Sequence, residues 1–393
     1  MVEKELFRVI SDTWNDKLES FISEKVTAVP GDVSYENLGI KNYNLKEEML
    51  KAIDLVVNFA ATTAFYARYD VAFDTNTMGI FHVLNFAKRC NKIKMLVHVS
   101  TAYVCGERSG LILEDLFSNG ETLSWEICKL DIFSENKLIK EKLNELQAEN
   151  ASDTNITSTM KELGKERAML YGWPNTYVFT KAMGEMLLNY YKDNISIIII
   201  RPTMIPADMV VNLMMMAMIA NDDDDDKSSQ VIYHVCSSMR NPLRISNLRE
   251  FMSLYFTNTP YVDKNGKEIK VSKVTLLDSS ARFDRYIAIR YQLPLKGLKL
   301  INSIFCQCFK NVCLDLDRKI KVVMQLVELY EPYMFFNGIF DDTNSRKLHQ
   351  KMIDNEMEAN EIDAFNFDPR CIDWEDYIIN THIPGLLRHV LKK

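Results

Sequence analysis

Residues 195–201 read Ile-Ser-Ile-Ile-Ile-Ile-Arg, a nearly continuous apolar, β-branched run. Such a run suits a strand buried on both faces, as in a parallel sheet covered by helices. Leu55–Phe59 and Met95–Ser100 have the same character, and Lys25–Val29 predicts a further short strand ending at Pro30-Gly31-Asp32. Thr77–Ala87 shows helical periodicity between two of these runs. Alternating strands and helices predict an α/β fold with a parallel sheet and crossover helices.

The remainder of the chain reads differently. Some seventy residues separate Ser100 from Tyr177, many of them polar, and they predict surface helices that include Lys137–Gln147. From about residue 246 the chain becomes mainly helical, clearest over Lys319–Tyr330, with Glu331-Pro332 as the expected stop. Two regions are therefore expected within the 393 residues, 1–245 and 246–393. Five consecutive aspartates within Asn221–Lys227 read as a solvated loop, since like charges repel and resist burial. The first eighteen residues read as an ordinary amphipathic helix rather than a signal or transit peptide. No internal repeat is evident.

Composition excludes several classes. Net charge is −7 with no long basic stretch, so nucleic acid is not expected as a partner. No run approaches the roughly 18 apolar residues of a transmembrane span. Peripheral association with membranes stays open, as does the oligomeric state. The eight cysteines are scattered, which suits reduced thiols in a cytoplasmic compartment. Cys306, Cys308 and Cys313 cluster, but neither a second pair nor a histidine follows at zinc spacing, so no metal is expected.

The chemistry-bearing residues are Thr101, Tyr177 and Lys181, in the segments HVSTAYVCG (98–106) and GWPNTYVFTKAMGEM (172–186). On a helix, Tyr177 and Lys181 share one face. An ammonium near a phenol favours the phenolate, so Lys181 is expected to lower the Tyr177 pKa and tune it as a proton donor to a carbonyl oxygen. A hydroxyl after a strand, Thr101 or its neighbour Ser100, can hold the same oxygen. Tyr103 reads as packing. Tyr-x-x-x-Lys alone is common by chance; both segments in this order, with the right strands, form a strong signal for the short-chain dehydrogenase/reductase apparatus.

Longer segments narrow the resemblance. VPGDVS (29–34), VVNFAATTAFYARYDVAFDTNTMGIFHVLNFAKRC (56–90), RPTMIPADMVVN (201–212), NPLRISNLREF (241–251), ELYEPYMFFNGIFDDTN (328–344) and FDPRCIDWEDYIINTHIPGLLRHVLKK (367–393) resemble the plant alcohol-forming fatty acyl-CoA reductases over nearly the whole chain. The resemblance implies a Rossmann-like sheet, NADPH as cofactor and a long-chain acyl-CoA substrate. It implies two hydride transfers, through an aldehyde, to a primary alcohol with release of CoA. Tyr177 would be the acid, Thr101 the oxyanion partner, and Lys181 would also bridge the nicotinamide ribose hydroxyls. A location at the endoplasmic reticulum surface within the cytoplasm is compatible with this activity.

Other positions have two readings each. Asp32 and the Val33 backbone would meet the adenine by resemblance, yet Asp32 also suits an ordinary turn. Asn58, Ala60 and Ala61 permit close cofactor approach or close helix–strand packing. Asn76 would support the lysine by resemblance, or simply cap a helix. Pro202 would lie near the nicotinamide, or merely end a strand. Residues 335–340 could wall a lipid or fill the core.

Two parts of the family pattern are missing from these residues. No TGxTGFL-type glycine turn, which cradles pyrophosphate on a helix N-terminus, occurs here, and the strand with the family's NADP-selecting arginine is absent too. Ile205 runs straight into Pro206, where the family carries several dozen residues on the substrate side. The expected fold is thus an incomplete Rossmann-like sheet with a helix-rich C-terminal region. Two functions remain: a reductase, its activity reduced by the losses, or an inactive paralogue or fragment that binds acyl chains or a partner.

Overall fold

The computed structural model describes residues 7, 12, 17–127, 129–221, 229–262, 266, 268–269, 277, 279–304, 307–354 and 359–390. The aspartate run, Cys128, Cys306 and nearly all of the expected first helix lie outside these residues. The strands, in chain order, are β1 (Leu55–Asn58), β2 (Met95–Val99), β3 (Gly110–Ile112), β4 (Ser196–Pro202), β5 (Gln230–Val235), β6 (Tyr261–Val262), β7 (Glu268–Ile269) and β8 (Gly338–Phe340). Four of them form one parallel sheet in the order β1-β2-β4-β5.

Alternation along the strands explains how both faces are buried. Leu96, Ile197, Ile199 and Ile232 pack against Ile80, Val83, Leu84 and Leu188 on one side. These partners belong to helices Gly79–Arg89 and Thr176–Tyr191. Val97, Ile198, Ile200 and Tyr233 pack on the other side against Leu213 and Met216 of helix Ala207–Ala220. Leu348 and Met352 of helix Thr343–Asp354 join that second layer. The C-terminal region therefore completes the cover of the sheet. The Ile-rich run of β4 is apolar throughout because neither of its faces meets water.

The junction at Ile205 is short. Four residues link β4 to helix Ala207–Ala220, an ordinary length for a strand-to-helix connection. The helix then leads to β5, so the crossover closes without the residues the family carries there.

Two expectations fail. Lys25–Val29 is not a strand: Lys25 ends helix Leu18–Lys25, and residues 26–32 are irregular. A strand needs a partner, and β1 is the sheet edge, with no described strand on its outer side. The chain there turns locally instead, with Asp32 N–H donating to Leu38 O at 2.8 Å. Nor does Pro332 stop its helix, which runs Lys310–Met334. Pro332 forfeits its own bond to the Glu328 carbonyl, but only two residues of the helix follow it. Tyr330 and Tyr333 on either side of it are held by ring contacts with Phe65. The expected Lys137–Gln147 helix is present as Ile132–Ala148. No helix among the described residues is long and apolar enough to cross a membrane.

Candidate active site

The carboxyl ends of the parallel strands converge with helix Thr176–Tyr191. Asn175 caps this helix by accepting from Val178 N–H at 3.1 Å, and its amide also donates to the Tyr333 hydroxyl at 2.7 Å. Tyr177 and Lys181 are one turn apart on it, as their spacing predicts. The Lys181 side chain is buried and its Nζ donates to Val99 O, at the end of β2, at 2.8 Å. Ser100 and Thr101 follow at once. Thr101 is buried and its hydroxyl accepts from Tyr103 N–H at 3.4 Å, capping the turn Ala102–Cys105. Ser100 Oγ is buried without a hydrogen-bond partner.

The electrostatics correct the expected tuning. Burial pushes the Tyr177 phenol up, to about 12, rather than down. Burial lowers Lys181 to about 8, with the Glu185 carboxylate opposing the shift. The lysine does not offset burial at the phenol, because its nitrogen is turned to β2. There it meets Val99 O and, at 3.2 Å, His98 Nε2. Sequence spacing placed the two side chains on one face but could not show which way the lysine reaches.

Asn76 also differs from expectation. It does not cap a helix; it lies buried within a π-turn, Phe73–Met78, which joins Tyr69–Ala72 to Gly79–Arg89. Such turns often occur at functional sites. Its amide donates to Thr62 O and to Thr180 Oγ1, both at 3.0 Å, and accepts from Thr62 N–H at 2.9 Å. It thus ties the loop after β1 to the residue preceding Lys181. Gly184 lets the two helices meet, since a Cβ there would lie 2.5 Å from Asn76 O.

Asn58 ends β1 and is buried, with Oδ1 accepting from Ala60 N–H at 3.1 Å. Ala60 and Ala61 are half-buried in the following loop. Pro202 ends β4 and is half-buried. Asp32 and Val33 stand apart from this cluster. The exposed Asp32 carboxylate accepts from Ser34 N–H and Oγ, which hold its pKa below the usual range. Val33 packs against Gly79. The turn reading of Asp32 is satisfied locally.

An aromatic wall faces Tyr177. Phe65 stacks on Tyr177 with centroids 5.9 Å apart and on Tyr333 at 5.0 Å. Tyr103 meets Tyr333, Phe336 and Phe340 edge-on. Within residues 335–340, Phe336 and Phe340 both fill a core cluster and extend this wall, whereas Phe335 and Ile339 are exposed. A cavity of ≈ 470 Å³ opens beside Phe65, lined by Lys161, Lys165, Asn175, Val322 and Leu326 among others.

Sequence reasoning missed His98, Glu185 and Arg201. Arg201 pairs with Glu185 inside the molecule, Nη2 to Oε2 at 2.5 Å and Nε to Oε1 at 3.1 Å. Each is a polar residue interrupting an apolar segment, His98 in MLVHV and Arg201 after IIII. That interruption was the available signal, because an unpaired polar group at a buried position is costly.

A parallel sheet with Tyr177, Lys181 and the Ser100-Thr101 pair at its carboxyl end defines a protein of the short-chain dehydrogenase/reductase class. Residues 2–220 match an NAD-binding family model described as male sterility protein, and residues 290–393 match a second model, Sterile, with the same description. The chain is 45% identical to a probable fatty acyl-CoA reductase 4 of Arabidopsis thaliana, covering 100% of this chain and 88% of that protein. It is also 45% identical to an alcohol-forming fatty acyl-CoA reductase of Simmondsia chinensis, covering 99% of this chain and 87% of that protein. The chain belongs to the fatty acyl-CoA reductase family. These alignments run over 440 and 432 positions, so the relatives carry residues within the matched span that this chain lacks. The terminal R domain of the myxalamid PKS-NRPS pathway aligns at 15% identity with TM-score 0.44, over 86% of this chain and 72% of that one.

Proposed function

We propose that this chain reduces a long-chain acyl-CoA to the primary alcohol with NADPH as reductant. One observation carries the reading. Tyr177 is set one turn before Lys181 against an apolar aromatic wall, and Lys181 reaches Val99 O, directly before a buried Ser100 hydroxyl that lacks a partner and the buried Thr101. An orphaned buried hydroxyl costs free energy unless a ligand meets it. The donors also fit the nicotinamide–ribose half of the cofactor: a buried amine, a phenol and two hydroxyls around strand carboxyl ends. Lys181 and Tyr177 would hold the ribose, and Asn58, Ala60, Ala61 and Pro202 would frame the ring. Asp32 and Val33 would border the adenine side.

The bound cofactor supplies hydride. The residues of the chain do the rest. Thr101 or Ser100 donates to the thioester oxygen as it gains charge, and Tyr177 delivers its proton there. A phenol held up near 12 is fully protonated before the reaction, so the donor is present at neutral pH. Collapse of the hemithioacetal releases CoA, and the same groups act again on the aldehyde. Phe65, Tyr333 and Phe336 exclude water from the acyl carbon. In this reading 1–245 carries the cofactor and Phe65 and Tyr103 of the wall, and 246–393 adds Tyr333 and Phe336 to it.

Purified 1–393 protein incubated with NADPH and a long-chain acyl-CoA should consume two NADPH per CoA released and yield the alcohol. NADPH binding by the 1–393 polypeptide is expected to be weak, because these residues hold no TGxTGFL-type glycine turn to receive pyrophosphate. Loss of two or three charge-assisted hydrogen bonds, each worth about 1.5–3 kcal/mol, weakens binding by about a thousandfold or more. Absence of any alcohol or aldehyde, with acyl-CoA still bound, would favour the second reading, an acyl-binding protein without catalysis.

A further inference from the structure

We propose that Asn58 and His98 are positioning residues that fix the direction of the hydrogen bond at Lys181, making the lysine nitrogen, in its uncharged form, an acceptor from His98. The proposal rests, for its bearing on catalysis, on the reading of Lys181 as part of a reductase site.

The argument follows proton donors from one backbone anchor to another. Asn58 and His98 are register partners on the adjacent strands β1 and β2, and both side chains are buried. The Ala60 backbone N–H can only donate, so the Asn58 atom it meets at 3.1 Å is the amide oxygen. The Asn58 NH₂ group is then the atom 3.2 Å from His98 Nδ1. An amide NH₂ can only donate, so Nδ1 accepts and carries no proton. A histidine with a bare Nδ1 is the neutral Nε2–H tautomer. That Nε2–H points at Lys181 Nζ, 3.2 Å away. An ammonium has no lone pair to receive it; a neutral amine has one. The amine keeps its own N–H for Val99 O at 2.8 Å. The donors thus run in one direction, from Ala60 through Asn58, His98 and Lys181 to Val99.

Protonating Lys181 works against this arrangement. His98 would have to move its proton to Nδ1, and the Asn58 amide would have to turn over and abandon Ala60. Other groups around the lysine pull in both senses. Glu185, one turn further along the helix, favours the ammonium, but Arg201 engages both of its oxygens. Tyr177 lies one turn back and is uncharged at neutral pH. Asn76, from the π-turn, reaches Thr180 and not the lysine. Burial separately favours the neutral forms, with Lys181 at about 8 and His98 well below its ordinary value. The relay adds geometry to that preference: it keeps Lys181 close to the reacting side of its titration, where cofactor and substrate can change its charge.

The tautomer can be read without turnover. The full chain, labelled with ¹⁵N-histidine, is examined by two-bond ¹⁵N–¹H correlation spectroscopy over the pH range in which it stays folded. His98 is assigned as the signal lost in His98→Gln or, should that variant not fold, as the ring that shifts in Asn58→Asp. Above about pH 8, where Lys181 is uncharged, an Nε2–H signal is expected; an Nδ1–H tautomer or an imidazolium in that range overturns the proposal. Asn58→Asp places an acceptor against Nδ1 and should switch the ring to Nδ1–H, leaving Nε2 to accept from a Lys181 ammonium. The pH midpoint of Lys181, followed by ¹³C–lysine titration and by the kcat/KM profile, should then rise by about one unit or more, as for a new neighbouring charge. An unchanged tautomer in Asn58→Asp also overturns the proposal. If the tautomers are as stated but the chain does not reduce acyl-CoA, the functional reading falls and the relay stands.

Discussion

Glu185 and Arg201 hold each other by two parallel hydrogen bonds, at 2.5 and 3.1 Å, in a part of the molecule that water does not reach. The pair links helix Thr176–Tyr191 to the end of β4, and His234 on β5 lies 3.5 Å beyond the guanidinium. Removing one partner leaves the other charge buried alone, which typically costs about 3–5 kcal/mol. Glu185→Ala should therefore lower the free energy of unfolding, measured in urea, by that amount, more than Arg201→Met paired with Glu185→Met in one chain. A double variant as unstable as the single would mean that packing, not charge, dominates there.

Tyr177→Phe keeps the ring against Phe65 and removes only the acid. Unfolding of the variant should match that of the parent, while acyl-CoA reduction falls about 10²–10⁴-fold, the usual contribution of a general acid. A rate close to the parent's would remove Tyr177 from the role given to it.

Lys181 carries a pH signature. Its pKa is about 8 in the folded chain against an ordinary 10.5, so the unfolded chain holds more protons between those values. Stability contributed by this group accordingly rises with pH across that window, and falls as pH drops through 8, where the buried amine must take up charge. At about 1.4 kcal/mol per unit the span is on the order of 3 kcal/mol. Lys181→Met should abolish this rise, seen as the difference between the two stability–pH curves above pH 8, and should also abolish reduction. Parallel curves would show that the lysine titrates normally.

Gly184 sets the distance between the two helices nearest the site. A Cβ at this position meets Asn76 O at 2.5 Å and Ile80 Cγ2 at 2.9 Å. Gly184→Ala should cost about 1–3 kcal/mol, the usual range for overpacking, despite the gain in helix propensity. Its effect on activity should exceed its effect on stability, because Asn76 anchors Thr180 beside Lys181. Thermal unfolding and steady-state rates on the same preparation check both.

How much of this was legible beforehand depended on the kind of interaction. Helix spacing alone put Tyr177 and Lys181 on one face, and apolar continuity alone marked β2 and β4 as strands buried on both sides. These are local properties, fixed by 3.6 residues per turn and by side-chain hydrophobicity. Lys25–Val29 has a strand-like composition too, but a strand exists only where another offers hydrogen bonds, and β1 is the edge. Pro332 carries a local stop signal, yet it falls in a final turn whose flanking tyrosines are held by Phe65.

The direction of Lys181, the upward shift of Tyr177 and the roles of His98, Glu185 and Arg201 were decided only in three dimensions. Each depends on strand register or on which side chains share a dry interior: Asn58 lies opposite His98, and Arg201 opposite His234, by pairing between segments far apart in the chain. The sequence determined which chemical groups were available and the periodicity of the elements carrying them. Tertiary packing decided which groups lost their water, and burial, more than spacing, set their charge.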